Sequence, residues 1–482
     1  MNMKNILIFL LLVWLPLSLS AANHYVRAGA TGTADGSDWT NACTAFTGSC
    51  LPTSLIRGDT YYVAGGSYAA VTFNEPVSGA LVITIKGAIA SDHGTETGWQ
   101  ASYGVDVTQA AFPGGLGFRT AYWTVDGQVG SGKVAASYGF KIGPVASCTG
   151  TERYLLMGGD SSDVVTNLTI KYVHVETSGP SCDVAKVIIN QGFSLADQGN
   201  SLFSHIYARY MTSILSDGFS YLGPDTYEYI YSEDAFSSPT AHGALFAIRG
   251  QAGASGSIIR YSIFSDCIGT ACVEAIGGTV GNQFCAIDGW KIHGNVFANA
   301  TTGNGVLGAG SYSLFCNTEV YHNTFVNTVG SQGIFQNGIN CTTGCALGVN
   351  NTVKNNLVYN GNAGIVDYTG LGITHDYNAF FVTTSTPTED NGQIDAVTNP
   401  LTNASGGNYH LLIATNAAEA AGCASYPTDL DGITRGSSGV CDRGAYEFLV
   451  SGTAQYCCLA FLNWPWDLNE QPVWARKREW IN

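Results

Sequence analysis

The sequence predicts an all-β chain wound as a solenoid of stacked parallel strands, and three observations carry that prediction. A strand-sized pattern recurs through the second half, at 292–299 (IHGNVFAN), 320–327 (VYHNTFVN) and 353–360 (VKNNLVYN), with a looser copy around Tyr377, Asn378, Ala379 and Phe380. Its central asparagines, Asn295, Asn323, Asn356 and Asn378, are 28, 33 and 22 residues apart. A repeat of that length is one supersecondary unit that cannot bury its own apolar face, so neighbouring copies must stack. Second, each unit carries another short strand ending in glycine, as at 187–192, 245–250, 273–278, 333–338 and 365–370, with a degenerate copy at 305–310. Third, the composition suits strands: 60 Gly, 25 Tyr and 21 Phe among 482 residues, with only 12% charged. Helical repeats would need two amphipathic helices per unit, and no such periodicity is present.

Two or three short strands per turn, with glycine and asparagine at the corners, describe a β-helix. In such a coil identical residues lie above one another, so the central asparagines are expected to bond up and down a column. A second column, Asn299, Asn327 and Asn360, falls where the chain leaves the strand and should tolerate a left-handed conformation. Earlier units put Ser262 and Val173 in the central position. Eight or nine turns are expected between about residues 120 and 382.

Residues 1–22 read as a secretory signal: Lys4, an apolar run from Ile6 to Leu15, then the small residues Ser20, Ala21 and Ala22. No later run is long enough to cross a bilayer, so export without membrane insertion is expected, to the periplasm, cell surface or medium. Fourteen cysteines fit an oxidising compartment. Twelve form plausible local pairs: Cys43 with Cys50, Cys148 with Cys182, Cys267 with Cys272, Cys285 with Cys316, Cys341 with Cys345, and Cys423 with Cys441. The Cys341/Cys345 spacing would also suit half of a zinc site, but no second ligand pair accompanies it. The formal charge of −16 argues against nucleic acid and anionic membranes, and counts modestly against a polyanionic glycan unless calcium or a local basic patch bridges the two.

The chain resembles the secreted right-handed parallel β-helix proteins of the pectate-lyase-like, pectin-lyase-fold superfamily. The residues that carry the resemblance are the entry segment 24–29 (HYVRAG), the turn 36–39 (GSDW), the segment 57–68 (RGDTYYVAGGSY), the first full rung at 122–127 (YWTVDG), and the closing motifs 429–432 (DLDG) and 442–447 (DRGAYE). It implies a single-stranded right-handed parallel β-helix with N-terminal capping turns at 23–118, the coil at 119–382, and a closing segment at 383–448 that would cover the open end. Residues 449–482 change character, with Trp464, Trp466, Trp474, Trp480 and the vicinal Cys457 and Cys458, and read as an atypical tail. The resemblance also implies a monomer that engages an extended polysaccharide along its flank. Fold does not decide activity, because this architecture hosts lyases, hydrolases, esterases and adhesins.

Catalytic side chains on a β-helix should be outward, polar and adjacent on neighbouring turns. The densest region is 217–274. Aligning the second strands on their final glycine puts Gln191, Arg249, Asn337 and Thr369 in one outward column, with Asp367 on the same side. Glu274 then falls in the inward column with Ile188 and Phe246, where it is either a buried carboxylate or a sign that the register is off by one. A lyase needs a base for the C5 proton and a cation for the neighbouring carboxylate. Superfamily members commonly use an Arg or Lys base with calcium on acidic side chains. That makes Arg249 the base, His242 an acid, and Glu233 and Asp234 ligands of calcium or substrate; whether any metal is bound stays open. A hydrolase would instead need two carboxylates from Glu233, Asp234 and Glu274. Gln191, Asn337 and Asp367 are the substrate-binding candidates, and His174, His205, His293 and His322 are expected to be stacked structural residues. The alternative is a non-catalytic surface or adhesive β-helix that binds glycan or a partner protein.

Overall fold

The computed structural model describes residues 21–46, 55–144, 152–157, 163–177, 185–190, 199–211, 213–217, 224–234, 244–249, 254–277, 284–310, 312–330, 332–338, 350–368, 372–415, 419–437 and 439–449. For 152–154, 156–157, 185–190, 215–217, 249, 254–255 and 284 only the backbone is described. These residues form the expected parallel β-helix. Strands pair in parallel from one turn to the next, in a 21-stranded sheet, a 10-stranded sheet and smaller ones beside them. The core column of the large sheet runs unbroken from Ile85 through Val125, Ile170, Phe203, Tyr227, Ile259, Ile292 and Val320 to Val353. Nine turns fall in the expected interval, and the coil extends back to Asn23–Val26, which pairs with Thr60–Val63.

Each turn of the large sheet has two limbs separated by a bend. The bend residue is left-handed in turn after turn: Tyr172 (φ 58°), His205 (52°), Tyr229 (50°), Tyr261 (51°), Gly294 (65°), His322 (53°), Asn355 (57°) and Tyr377 (59°). A β-carbon on Gly294 would lie 3.0 Å from the Tyr261 ring, which explains the glycine in an otherwise bulky column. The residue after the bend is the central asparagine of the repeat. Asn295, Asn323, Asn356 and Asn378 are fully buried, and each Nδ2 donates to the next Oδ1 at 3.0, 3.1 and 3.0 Å. Ser262 occupies the same position one turn earlier and accepts the Ile230 N–H at 3.0 Å, while earlier turns place apolar Ile230, Ile206 and Val173 there. The corner column behaves as expected too. Asn299, Asn327 and Asn360 have φ of 52–53° and bond to one another at 3.0 and 2.7 Å.

The disulfides Cys267–Cys272, Cys285–Cys316 and Cys423–Cys441 are formed. Cys43 is also disulfide-bonded; Cys50, Cys148, Cys182, Cys341 and Cys345 lie outside the described residues, as does the tail from residue 450. No helix among the described residues is long and apolar enough to cross a membrane.

One expectation needs correction. The second-strand register is off by one around Glu274, which pairs with Ala247 and Gly308, while Arg249 pairs with Ile276. Likewise Asn337 pairs with Asp367, not Thr369. Aligning on the terminal glycine assumes that every turn has equal length between strand and glycine, and the turns differ. The closing segment starts at the open end, where Gln393–Asp395 adds a parallel strand to Ala379–Phe381, and then folds back along the flank. Leu401, Tyr409, Leu411, Leu430 and Tyr446 pack sideways on the outward face of the large sheet, against Tyr261, Val296, Ala298, Val326, Leu357, Ala379 and Phe381. Backbone contacts fix it there: Gly444 N–H donates to Asn355 O at 2.9 Å, and Ala445 N–H to Thr324 Oγ1 at 2.8 Å. Outward second-limb residues on these later turns are mostly apolar, so that flank needs a cover, and the buried Arg435–Glu447 pair (3.2 Å) braces the cover from within.

Candidate functional site

Covering the later turns confines any open, polar flank of the large sheet to the earlier ones. There the second limb carries a charged column. Glu176, Arg209 and Glu233 end the strands Leu168–Glu176, Leu202–Arg209 and Thr226–Glu233, and their register stacks them on successive turns. Beside them runs a column of His174, Tyr207 and Tyr231. From the second of these turns on, the next residue turns the corner in a left-handed conformation, Tyr210 (φ 56°), Asp234 (φ 54°) and then Asp266 (φ 58°), in the column that later turns fill with Asn299 and its successors. Asn299 Nδ2 donates to Asp266 Oδ1 at 3.1 Å, so the amide ladder ends in carboxylates at this point.

Arg209 is the centre of the cluster. Its Nε lies 3.1 Å from Asp234 Oδ2 and 3.7 Å from Glu233 Oε1. No described residue bonds its two terminal nitrogens, and the side chain is 36% exposed, so the guanidinium presents an open fork to solvent. The Tyr207 hydroxyl donates to Glu233 Oε1. Burial, and then that hydrogen bond, push the phenol well above its ordinary pKa, so it stays protonated. Lys133 enters from the 3-10 loop of a much earlier turn. Its Nζ lies 2.5 Å from Ser265 Oγ and 3.8 Å from Glu233 Oε2. Burial pushes its pKa down, an effect partly opposed by Glu233, Asp266 and Asp234. At the rim Lys141 pairs with Glu176 at 3.3 Å. His174 is stacked on Tyr207, and burial pushes its pKa down to about 3.

Of the residues singled out from sequence, the structure brings Glu233 and Asp234 into this cluster. Glu274 belongs to the 10-stranded sheet, where it is 1% exposed and bonded to Thr270 Oγ1 at 2.6 Å. Asn337 does not face outward: it is fully buried and bonds the Phe315 backbone on both sides, N–H to Oδ1 at 2.9 Å and Nδ2 to O at 3.1 Å. Asp367 is half-buried and accepts the Gly372 N–H at 2.8 Å. The Arg249 backbone lies in the 10-stranded sheet, on a different wall from Glu233, and its side chain is outside the described atoms. His242, Gln191 and Thr369 lie outside the described residues. Sequence reasoning missed Lys133, Tyr207 and Arg209. Extending the Asn299 corner column back through Asp266, Asp234 and Tyr210 would have set Arg209 beside Glu233; nothing in the sequence points to Lys133.

The residues that could hold a cation are Glu233, Asp234 and Asp266, but two of these already face Arg209 and Lys133, and they do not fit a calcium cage. Among the described residues the one group with three ligand atoms in reach is His322, Cys423 and Cys441, and its two cysteines are joined as a disulfide.

No family model and no curated protein matches the chain. Among solved structures it is similar to the PL6-family alginate lyase AlyGC, at 13% identity and a TM-score of 0.37, over 79% of this chain and 54% of that one. An arginine-to-alanine variant of that enzyme is similar at 12% identity and a TM-score of 0.34, over 74% and 53%. The chain thus spans about half the length of these structures. Its parallel β-helix is established by its own strand register and not by this likeness.

Proposed function

We propose that the protein is an exported polysaccharide lyase that cleaves a uronic-acid polymer by β-elimination at the Arg209 cluster. The observation that carries this reading is an open guanidinium fork beside a desolvated lysine, both facing the Glu233 carboxylate. Elimination requires the uronate carboxylate to be neutralised so that C5–H becomes acidic, and a planar fork suits a carboxylate. Arg209 would take that role. Lys133 would accept the C5 proton on Nζ, its desolvation favouring the neutral amine that can do so. The C5–H electrons form the C4–C5 double bond, the C4–O4 bond breaks, and O4 takes a proton from water, because Tyr207 is buried and its hydroxyl is held by Glu233. Glu233 holds Tyr207 and Lys133 in place, and Asp234 aims Arg209. No step is routed through calcium.

A hydrolase reading has less support, because Glu274, its third carboxylate, is buried on the other sheet. The test is the release of unsaturated oligosaccharides from a panel of poly-uronates. Arg209→Ala and Lys133→Ala should each lower the rate by about 10²–10³-fold, the usual size for loss of one transition-state contact. Parental rates in both variants would remove the assignment.

A further inference from the structure

The first limb of the same sheet carries a second constellation with different chemistry. Its outward column runs Asp126, Lys171, Ser204, Glu228, Arg260 on successive turns. The bend residue beside Ser204 is His205, whose ring lies between Tyr172 (centroids 4.6 Å) and Tyr229 (4.8 Å). Both faces of the imidazole are therefore covered and only its edge can meet a ligand. Ser204 Oγ donates to Glu228 Oε1 at 3.2 Å and lies 2.8 Å from His205 Nδ1. A hydroxyl has one proton, and assigning it to the Glu228 carboxylate, which can only accept, makes Nδ1 the donor to Ser204. In that tautomer Nδ1 carries the hydrogen and Nε2 presents a lone pair. Among the described residues nothing bonds Nε2, and the side chain is partly exposed.

A base locked on one nitrogen and open on the other is the arrangement of a general base with an orienting partner. Burial, the largest influence, holds His205 below its ordinary pKa and so in the proton-accepting form at neutral pH. The cations on this limb differ from Arg209 in being closed. Arg260 puts Nε and Nη2 on Glu228 at 2.8 and 2.6 Å, and Lys171 Nζ lies 2.9 Å from Asp126. A uronate carboxylate would find no open fork here, so the patch suits an uncharged reacting group that needs only a base and a nearby positive charge.

We propose that His205 is the general base of a second reaction centre, which hydrolyses acyl esters on sugar hydroxyls, such as O-acetyl groups. A water molecule gives a proton to Nε2 and its oxygen bonds to the acyl carbon. The acyl C–O bond to the sugar then breaks, and the departing alkoxide takes the proton back from the imidazolium. The products are a carboxylic acid and a free hydroxyl, and water is the only co-reactant. Lys171, one turn away, spends one N–H on Asp126 and turns another to the transient oxyanion, a single-point contact where a carboxylate would need a fork. Removing esters would prepare the polymer for a neighbouring site that reads bare uronates; the ester activity itself does not depend on that site.

The test uses the full chain with para-nitrophenyl acetate and an O-acetylated glycan, following acid release. The wild type should hydrolyse both. His205→Phe keeps an aromatic ring in the stack, so circular dichroism and melting should match the parent while ester hydrolysis falls by about 10²-fold or more. Ser204→Ala frees the tautomer and should fall by a smaller factor, and Arg209→Ala should leave ester hydrolysis unchanged. No ester hydrolysis by the wild type, or an unchanged rate in a folded His205→Phe, would overturn the proposal. Loss of elimination in Arg209→Ala with ester hydrolysis intact would separate the two sites, whereas failure of elimination in the wild type leaves this proposal to stand or fall on the ester assay alone.

Discussion

Replacing Asn323 by alanine should cost about 3–7 kcal/mol of stability. The side chain is fully buried and makes four hydrogen bonds. Its Oδ1 accepts from Asn295 N–H at 3.1 Å and Nδ2 at 3.0 Å, while its Nδ2 donates to Ile292 O at 2.8 Å and Asn356 Oδ1 at 3.1 Å. Two of the abandoned partners keep another bond: Asn295 Nδ2 still reaches Ile259 O, and Asn356 Oδ1 still accepts from Asn323 N–H. The other two, Asn295 N–H and Ile292 O, are left buried without their side-chain partner, at about 1–3 kcal/mol each, and the lost bonds add about 1 kcal/mol. Serine should cost about half as much, because Ser262 in the same column accepts the Ile230 N–H and donates to Arg260 O at 2.8 Å. The assay is urea unfolding together with amide exchange resolved by turn, since a solenoid loses stability locally around the damaged repeat. A cost for Asn323→Ala below about 1 kcal/mol, or equal to that for Asn323→Ser, would refute the reasoning.

Two further outcomes follow from buried charge and a third from a disulfide. Asp225 is buried beside Ser201 and Tyr227, and desolvation raises its pKa to about 7. A carboxyl raised above its unfolded value favours the fold below the unfolded pKa, and that contribution is lost as pH climbs through about 7. Stability should therefore decline between about pH 4 and 8, by at most about 4 kcal/mol from this group, and Asp225→Asn should flatten the decline in pH-dependent urea titrations. Arg435→Ala would leave the Glu447 carboxylate buried without its cation, costing about 3–5 kcal/mol in melting experiments; Arg435→Met with Glu447→Leu should be far milder. Reducing Cys423–Cys441 should loosen the flank cover first, seen as early proteolysis within 401–448 while the coil core remains protected.

The coil was legible because its determinants repeat. An apolar column recurs at each turn and an asparagine column at each of the later ones, and stacking in a parallel sheet converts the recurrence directly into contacts. The register of the 10-stranded sheet was not legible in the same way: Glu274 and Asn337 sit between turns of unequal length, and a slip of one residue exchanges inside for outside. Glu233 and Asp234 stood out because charge is scarce in this chain. Their partners did not, because a coil joins residues far apart in sequence. Lys133 meets Ser265 across 132 positions, through a loop that obeys no repeat. Arg209 was hidden by an earlier rung in which the corner asparagine is Tyr210.

The central claim, elimination at the Arg209 cluster, is tested most directly by digesting poly-uronates in water enriched in heavy oxygen and reading the new chain ends by mass spectrometry. Elimination predicts one unsaturated end per cut and no solvent oxygen in either fragment. Saturated ends carrying heavy oxygen would show hydrolysis and contradict the account, and binding with no new ends would favour a glycan-binding protein without catalysis.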